Sequence, residues 1–327
     1  MQDTIRVADL GEHALLERLQ RFCPPHLVGD DAAVLDLPSD QQLVVTTDGL
    51  IDGVHFSLGL SSAATMTAVD AGWRAMAANL SDLAAMGASP RGVTVGLGLP
   101  ADLPVALVEE LYHGLTQCLQ TYGGAIIGGD IYRSPVVSLC ITALGQVCPR
   151  QIIRRSGAQV GNAIVVSGPH GRSRVGLALL LDPQLQGSPE DDEYIQAHCR
   201  PVPRFDVVPA LQRLHVTTGM DSSDGLANAV LQICRMSGVG AQLEASAITR
   251  PTAPWLSDQQ ALDWALHGGE DFELVVCLPA AIAQQLVQEV EGAAIVGQIT
   301  APPAVQLVTQ SGQRQTLSLK QGYSHFD

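Results

Sequence analysis

The sequence predicts an α/β protein made of two halves, each with its own strands and helices. In the first half, the β-branched run 43–47 and the alternating segment 92–99 flank an Ala-rich helical stretch. In the second half, the apolar strand 163–166 follows an Arg- and Gly-containing connector. The 327 residues suffice for two domains of roughly 100–200 residues each, which we place at 1–150 and 151–327. Mixed or antiparallel strand pairing is left open by these patterns.

The elements of the first half follow from β-branched runs and from glycines that stop helices. A helix is predicted at 64–86, where it ends before Gly87, and a second one at 104–122, where it ends before Gly123. The strands that the patterns predict lie at 43–47, 92–99, 125–127 and 136–147.

The second half repeats the alternation. Helices are predicted at 173–181, 226–236 and 280–290, and strands at 163–166, 272–278, 295–299 and 305–308. The segment 182–192, rich in Pro, Gly, Ser and acids, is expected to be an exposed loop in which Asp191 and Asp192 are surface charges.

The charge balance narrows the function classes. Asp and Glu number 33 against 18 Lys and Arg, for a net charge of −15, and one of the 18 cations is a lysine, Lys320. A P-loop and a protein kinase each need a lysine on the phosphates, and a Schiff-base enzyme needs a buried amine, so these classes are disfavoured. The acidic balance also argues against a duplex nucleic-acid binder.

The cysteines and the apolar runs indicate a cytoplasmic protein. The seven cysteines are scattered and never in C-x-x-C spacing, which is typical of reduced thiols. The first ten residues carry charges and no apolar signal-peptide segment. No uninterrupted apolar run approaches the ~18–20 residues that span a bilayer. We therefore expect no membrane partner.

A subset of the acids is placed unlike ordinary surface charge. Asp48 is expected to end a buried strand, Asp130 to close another, and Asp82 to lie near the end of its helix. A carboxylate near the C-terminal end of a helix interacts unfavourably with the helix macrodipole, at a cost of roughly 0.3–1 kcal/mol. Another group should therefore offset this cost for Asp82. Asn79 shares the face of Asp82 at i, i+3. The complete subset is Asp30, Asp31, Asp48, Asp82, Asp130, Asp221 and Asp224.

Each of these aspartates alone also fits a structural role. Asp224 could be a helix N-cap, and Asp48 and Asp130 could be turn residues. Together with Thr46, Thr47 and Ser223 they supply hard oxygen ligands, which favours Mg²⁺ over zinc or copper. Many carboxylates stay ionised close together only if cations are present, and Mg²⁺ ions held by them usually serve phosphate oxygens. The metal ions would then replace the missing lysine in phosphoryl transfer.

Seven blocks of sequence occur in order between residues 29 and 326. They are GDDAA at 29–33, TD at 47–48 with HF at 55–56, NLSDLAAMG at 79–87, GGD at 128–130, DSSDGL at 221–226, GGEDFEL at 268–274 and GYSHF at 322–326. As a set they resemble the thiamine-monophosphate kinase family, of the aminoimidazole-ribonucleotide synthetase-like superfamily. The resemblance implies an N-terminal α/β domain with a mixed or antiparallel sheet that dimerises, and a C-terminal α/β domain.

The resemblance also implies a reaction and its residues. The γ-phosphoryl group of ATP would pass directly to thiamine monophosphate, giving thiamine diphosphate and ADP, in a homodimer with several Mg²⁺ ions. The implied metal ligands are Asp30, Asp31, Thr46, Thr47, Asp48, Asp82, Asp130, Asp221 and Asp224. The implied ATP contacts are Tyr112, Gly129, Asp130, Arg155 and Ser223. The implied contacts to thiamine monophosphate are His55, Glu270 and Tyr323. No general base is assigned, because the acceptor phosphate is already a nucleophile at neutral pH.

Other functions remain open. A selenophosphate synthetase of the same superfamily would need a reactive Cys beside a Lys near the N-terminus, where this chain has Cys23 before Pro24 and no lysine. An aminoimidazole-ribonucleotide synthetase lacks the Gly-Gly-Glu-Asp block. A Mg²⁺-dependent phosphohydrolase would use similar aspartates with water as the acceptor. A non-enzymatic cation-binding module would bind no nucleotide.

Overall fold

The computed structural model describes residues 5–10, 15, 18–23, 37–60, 63–301 and 304–321. The chain divides into two compact units, unit 1 with Met1–Leu83 and Ala88–Pro149, and unit 2 with Ala84–Gly87 and Arg150–Asp327. The division after Pro149 lies one residue before the boundary that we predict from the sequence. No helix in the described part of the chain is long and apolar enough to cross a membrane.

Unit 1 alternates strands with two long helices. Its elements are α1 (Val7–Leu10), β1 (Gln42–Ile51), α2 (Ala68–Ala85), β2 (Ser89–Leu99), α3 (Val105–Tyr122), β3 (Ile126–Arg133) and β4 (Ser138–Val147). The helix predicted at 64–86 is confirmed but begins at Ala68, because Thr67 accepts the N–H of Asp70 at 3.1 Å and so caps the first turn. The helix predicted at 104–122 is confirmed within one residue.

The sheet of unit 1 is mixed. Its strand order is β1-β4-β2-β3, with antiparallel pairing except between β2 and β3. Alternate residues of the central strands, such as Val95 and Ile141, are buried on the face that α2 contacts. On the opposite face, which we call the open face, Leu43 and Val45 of β1 are 48% and 56% exposed.

Unit 2 also consists of strands and helices. Its elements are β5 (Ala163–Val166), α4 (Arg172–Leu181), α5 (Asp191–Cys199), α6 (Val208–Arg213), β6 (Gly219–Asp221), α7 (Leu226–Ser237), β7 (Gly240–Glu244), α8 (Asp258–His267), β8 (Leu274–Leu278), α9 (Ala280–Glu289), β9 (Ala294–Thr300), β10 (Val305–Val308) and β11 (Arg314–Thr316). The strands predicted at 163–166 and 305–308 match residue for residue.

The exposed loop predicted at 182–192 is wrong at its end. Asp191 begins α5 and is buried, because one of its carboxylate oxygens accepts the N–H groups of Gly187 and Ser188 at 2.6 and 2.8 Å. This carboxylate therefore folds the preceding turn onto the start of the helix and is not a surface charge.

The seven-stranded sheet of unit 2 is covered on both faces. Its order is β11-β10-β7-β9-β5-β8-β6, with parallel pairing only between β10 and β7 among the described strands. Ile164 and Val275 pack with residues of α7 and α8 on one face, while Val165 and Val276 pack with residues of α6 and α9 on the other. Burial on both faces explains why these strands are continuous apolar runs and do not alternate with polar residues.

Helices α2 and α3 approach each other closely at two glycines. A Cβ atom on Gly72 would lie 2.0 Å from the Leu111 carbonyl oxygen, and one on Gly114 would lie 1.9 Å from the Val69 carbonyl oxygen. Both obstacles are backbone atoms, so neither can be relieved by a side-chain rotation. Glycine at these two positions is what lets the helices pack in unit 1.

We expect Gly114→Ala to lower the free energy of unfolding by about 3 kcal/mol, because the added methyl group must push the two helices apart. Denaturant unfolding followed by circular dichroism measures the change. Gln117→Ala, on the exposed side of the same helix, is the control and should change stability by less than about 0.5 kcal/mol. Equal stability of Gly114→Ala and the control would contradict the close approach.

Candidate active site

Strand β1 and the end of α2 hold a cluster of oxygen atoms in unit 1. The Thr46 hydroxyl donates to Asp82 Oδ2 at 2.5 Å, and the Asp48 N–H donates to Asn79 Oδ1 at 3.0 Å. Asn79 is oriented by its own amide, which donates to the Ala75 carbonyl oxygen at 3.0 Å. Thr46 is thus a group that offsets the unfavourable position of Asp82 near the C-terminus of the helix. The predicted common face of Asn79 and Asp82 is confirmed.

Successive residues of β1 point to opposite faces of the sheet. Thr46 and Asp48 lie on the side of α2, so Thr47 lies on the open face. There its hydroxyl donates to the Ile141 carbonyl oxygen at 2.9 Å and accepts from the Thr142 hydroxyl at 3.2 Å. The two neighbouring threonines therefore face different surroundings.

The expectation that Asp48 and Asp130 end their strands is wrong. β1 continues to Ile51 and β3 continues to Arg133. The reason is tertiary pairing, because β4 pairs with all of β1 and β2 pairs with β3 as far as Arg133. Both aspartates lie in outer strands of the sheet and are exposed, so Asp48 does not follow a buried strand either.

The predicted ligands of unit 1 divide between the two edges of the sheet. By the register of β3 on β2, Asp130 lies on the open face together with Thr47. Three strand spacings of about 4.8 Å separate β3 from β1, or roughly 14 Å. Unit 1 therefore brings Thr46, Asp48 and Asp82 together, and it holds Asp130 apart from them.

Gly129, a predicted ATP contact, has a structural role in the same strand. A Cβ atom on this residue would lie 2.2 Å from the Val95 carbonyl oxygen in the neighbouring strand β2. The glycine thus lets β3 approach β2, whatever else it contacts.

His55 lies in the turn after β1. The Ile51 N–H donates to His55 Nδ1 at 3.1 Å, which makes Nε2 the protonated nitrogen of the neutral ring. Arg74, which is 1% exposed, donates to the His55 carbonyl oxygen at 3.2 Å and so holds the turn in place. An N–H of this kind can donate to an anionic phosphate oxygen.

Two predicted ATP contacts lie in different surroundings. Tyr112 is 5% exposed within α3, and burial raises the pKa of its hydroxyl. Arg155 is exposed in unit 2. The predicted site residues outside the described part of the chain are Asp30, Asp31 and Tyr323.

In unit 2, the end of β6 and the turn before α7 carry the predicted ligands Asp221 and Asp224. Asp221 is 3% exposed at the end of β6 and accepts from the Ser223 hydroxyl at 3.3 Å, whereas Asp224 is exposed. Gly225, with φ of 98°, is the N-cap of α7, so the alternative role of Asp224 as that cap is wrong.

Glu270, a predicted substrate contact, lies in a loop with an unusual backbone. Its φ is 60° and that of Phe272 is 53°, in the left-handed region that bulky residues rarely adopt. The Glu270 N–H donates to the Ser223 carbonyl oxygen at 2.7 Å. This hydrogen bond joins the Gly-Gly-Glu-Asp segment to the segment that carries Asp221 and Asp224.

Asp271 lies between these two strained residues and was not singled out from the sequence. Its carboxylate accepts the N–H groups of Gly171 and Ser173 at 2.6 and 2.9 Å, at the start of α4. Burial raises the pKa of Asp271 to about 7, and the backbone N–H groups act in the opposite direction. Its only sequence signal is its place in the GGEDFEL block.

Ser222 and His170 are two further residues that the sequence patterns do not indicate. The N–H and the hydroxyl of Ser222 both donate to the Glu273 carbonyl oxygen, at 2.8 and 3.0 Å. His170 Nε2 lies 2.9 Å from the same hydroxyl, and burial lowers the pKa of this histidine to about 4. These buried polar groups hold the segment that carries Asp221 against the Gly-Gly-Glu-Asp segment.

The donor set of unit 1 fits Mg²⁺. Thr46, Asp48 and Asp82 offer only oxygen, the ligand that this ion prefers. In the described part of the chain, no three side chains of His, Cys, Asp or Glu form a metal-binding group. Mg²⁺ commonly binds through one or two carboxylates, with water and substrate phosphates as its other ligands. The pair Asp48 and Asp82 is sufficient for that mode.

Comparison with known proteins agrees with the motifs. Residues 29–147 match the family model of the AIR synthase related protein N-terminal domain, and residues 159–310 match that of the C-terminal domain. The chain is 49% identical to the thiamine-monophosphate kinase of Synechococcus elongatus, over 98% of each chain. The chain belongs to the thiamine-monophosphate kinase family. This confirms the resemblance and the two α/β domains that it implies.

Solved structures of the same family share the fold. The thiamine-monophosphate kinase of Stenotrophomonas maltophilia is 32% identical, with a TM-score of 0.80 over 93% of this chain and 98% of that one. A structure of AaThiL complexed with AMPPCP and TMP is 28% identical, with a TM-score of 0.74 over 96% and 97% of the two chains. The likeness covers both units of a family member that was solved with these two ligands.

Proposed function

We propose that this chain transfers the γ-phosphoryl group of ATP to the phosphate of thiamine monophosphate, forming thiamine diphosphate and ADP, with Mg²⁺ held by its aspartates. The observation that carries the proposal is the group of Thr46, Asp48, Asn79 and Asp82, where the Thr46 hydroxyl holds the Asp82 carboxylate and Asn79 holds the backbone of Asp48. Membership of the thiamine-monophosphate kinase family and the ligands of AaThiL support it.

The metal-binding part of the proposal relies on oxygen ligands. Mg²⁺ would neutralise the phosphate charge that a lysine neutralises in other kinases. In unit 1, Asp48 and Asp82 are its carboxylate ligands, and Thr46 orients the second of these by its hydrogen bond. The other ligands that we propose are Thr46 itself, Asp30, Asp31, Thr47, Asp130, Asp221 and Asp224.

Substrate binding in the proposal relies on His55, whose ring orientation is fixed, and on further polar and aromatic side chains. His55 presents Nε2–H to the anionic end of thiamine monophosphate, because Nδ1 accepts from Ile51. Glu270 accepts from the aminopyrimidine, and Tyr323 stacks on a heteroaromatic ring. Arg155 supplies positive charge toward ATP. The other residues that we propose to contact ATP are Tyr112, Gly129, Asp130 and Ser223. The acceptor phosphate is the nucleophile, so the residues position the reactants and no general base is required.

The proposal includes a homodimer, and the division of the ligands supports it. Asp130 and Thr47 share the open face of the unit 1 sheet but lie at opposite edges, so they cannot bind one ion within a single copy. A second copy stacked on the open face, about a two-fold axis parallel to the strands, would place β3 of one chain over β1 of the other. The exposed apolar residues Leu43 and Val45 are the kind of surface that such a partner covers. We place this enzyme in the cytoplasm, where ATP is available.

Incubation of the purified chain with ATP, Mg²⁺ and thiamine monophosphate tests the proposal. We expect thiamine diphosphate and ADP to form in equal amounts, and no ADP to form when thiamine monophosphate is left out. ADP release that is independent of thiamine monophosphate would instead indicate the phosphohydrolase. Absence of thiamine diphosphate at saturating Mg²⁺ would overturn the proposed function.

A further inference from the structure

We propose that Asp271 is a positioning residue for substrate recognition, which fixes the backbone at Glu270 so that the Glu270 carboxylate faces its ligand. This inference rests on the proposed function, in which Glu270 contacts thiamine monophosphate. It assigns to the fourth residue of the Gly-Gly-Glu-Asp segment a role that differs from that of the third.

The backbone around Glu270 is held in conformations that its residue types avoid. Gly269, Glu270 and Phe272 have φ values of 66°, 60° and 53°. Glycine adopts such values readily, but Glu and Phe do not, because the Cβ atom crowds the backbone. Non-glycine residues stay in this region only where surrounding contacts over-determine the conformation, and such places cluster at ligand-binding sites.

Asp271 supplies the contacts that hold this conformation. Its Oδ2 accepts the Gly171 N–H at 2.6 Å and its Oδ1 accepts the Ser173 N–H at 2.9 Å. The two donors are the N-cap residue and the second residue of α4, a ten-residue helix. On the other side of Glu270, its own N–H is fixed by the Ser223 carbonyl oxygen at 2.7 Å. Glu270 is thus held on both sides, through Asp271 by the start of α4 and through its own N–H by the segment that carries Asp221.

Glu273 lies two residues further on and has a different set of partners. Its carboxylate accepts from the Ser167 hydroxyl and from Arg204, which also pairs with Asp206. These contacts join the start of β8 to its neighbours and do not involve the left-handed residues. Glu273 is therefore a matched control, an enclosed carboxylate in the same segment whose loss should affect stability and not recognition.

The test is Asp271→Asn, which keeps one acceptor oxygen but turns a second position into an N–H donor that faces other N–H groups. We expect KM for thiamine monophosphate, and its Kd by titration calorimetry, to rise at least about tenfold, since small displacements of a positioning group cost that much. KM for ATP should stay within about twofold. Glu273→Gln should lower the midpoint of unfolding and leave both constants unchanged.

A double-mutant cycle with Glu270→Gln separates positioning from an independent effect. If Asp271 acts through Glu270, Asp271→Asn should add less than about twofold to KM in the Glu270→Gln background. The same tenfold factor in both backgrounds, or an unchanged KM in the single variant, would overturn the inference. Should Asp271→Asn fail to fold by circular dichroism, Asp271→Ser keeps one acceptor and carries the same expectation. A wild-type chain that forms no thiamine diphosphate would refute the proposed function instead.

Discussion

Asp48→Asn should lower the rate of phosphoryl transfer by about 10³-fold at saturating substrates and leave the fold intact. The substitution removes an anionic oxygen and keeps the shape of the side chain. The Asp48 N–H, which donates to Asn79, belongs to the backbone and is retained. Because the residue is exposed in an outer strand, the loss of charge should not disturb packing. Initial rates of thiamine diphosphate formation measure the effect.

Mg²⁺ dependence distinguishes the loss of a ligand from other defects. We expect Asp48→Asn to need a higher Mg²⁺ concentration for half-maximal rate, since one carboxylate no longer contributes to the site. Asp102→Asn, an exposed aspartate before α3 in the same unit, is the control and should keep the activity and Mg²⁺ dependence of the wild type. More than a tenth of wild-type activity in Asp48→Asn would show that the metal site lies elsewhere.

Much of the fold could be predicted because the relevant signals are local. The strand 163–166 reads as a continuous apolar run, and burial on both faces of the unit 2 sheet is the reason. The helix 105–122 lies between a proline and a glycine that mark its limits. By contrast, β1 and β3 run past Asp48 and Asp130 because distant strands pair with them. Local sequence does not contain that information.

The candidate site also has residues that could be predicted from the sequence and residues that could not. Asn79 and Asp82 could be paired from their i, i+3 spacing, and the structure confirms their common face toward β1. The partners of Asp271 could not be predicted from spacing, because Gly171 and Ser173 lie about a hundred residues earlier in the chain. The sequence pattern places Asp191 at the surface because nothing in the segment 182–192 indicates that its carboxylate folds back onto the preceding turn. Roles that depend on tertiary contacts are the ones that sequence patterns miss.

Two inactive variants should restore activity to each other when mixed, if the homodimer completes the metal site. In the proposal, each site takes Thr47 and Asp48 from β1 of one chain and Asp130 from its partner, because Asp130 lies at the edge of the sheet opposite to β1. Thr47 and Asp48 point to opposite faces, but β1 is an outer strand, so the partner's Asp130 on the open face reaches Asp48 around that edge. A mixed dimer of Asp48→Asn and Asp130→Asn then has one site with both substitutions and one site with neither. If subunits exchange at random, half of the dimers are mixed, and activity should reach about one quarter of the wild-type value.

A mixture of Asp48→Asn and Asp82→Asn is the matched control, because these two residues belong to the same cluster of a single chain. Each site of that mixed dimer keeps one substitution, so the mixture should remain as inactive as its components. Subunit exchange is verified by tagging one variant and recovering the other with it. Restored activity in both mixtures would contradict the placement of Asp48 and Asp82 in one cluster. Restored activity in neither mixture, with exchange demonstrated, would show that Asp130 does not reach the site of its partner.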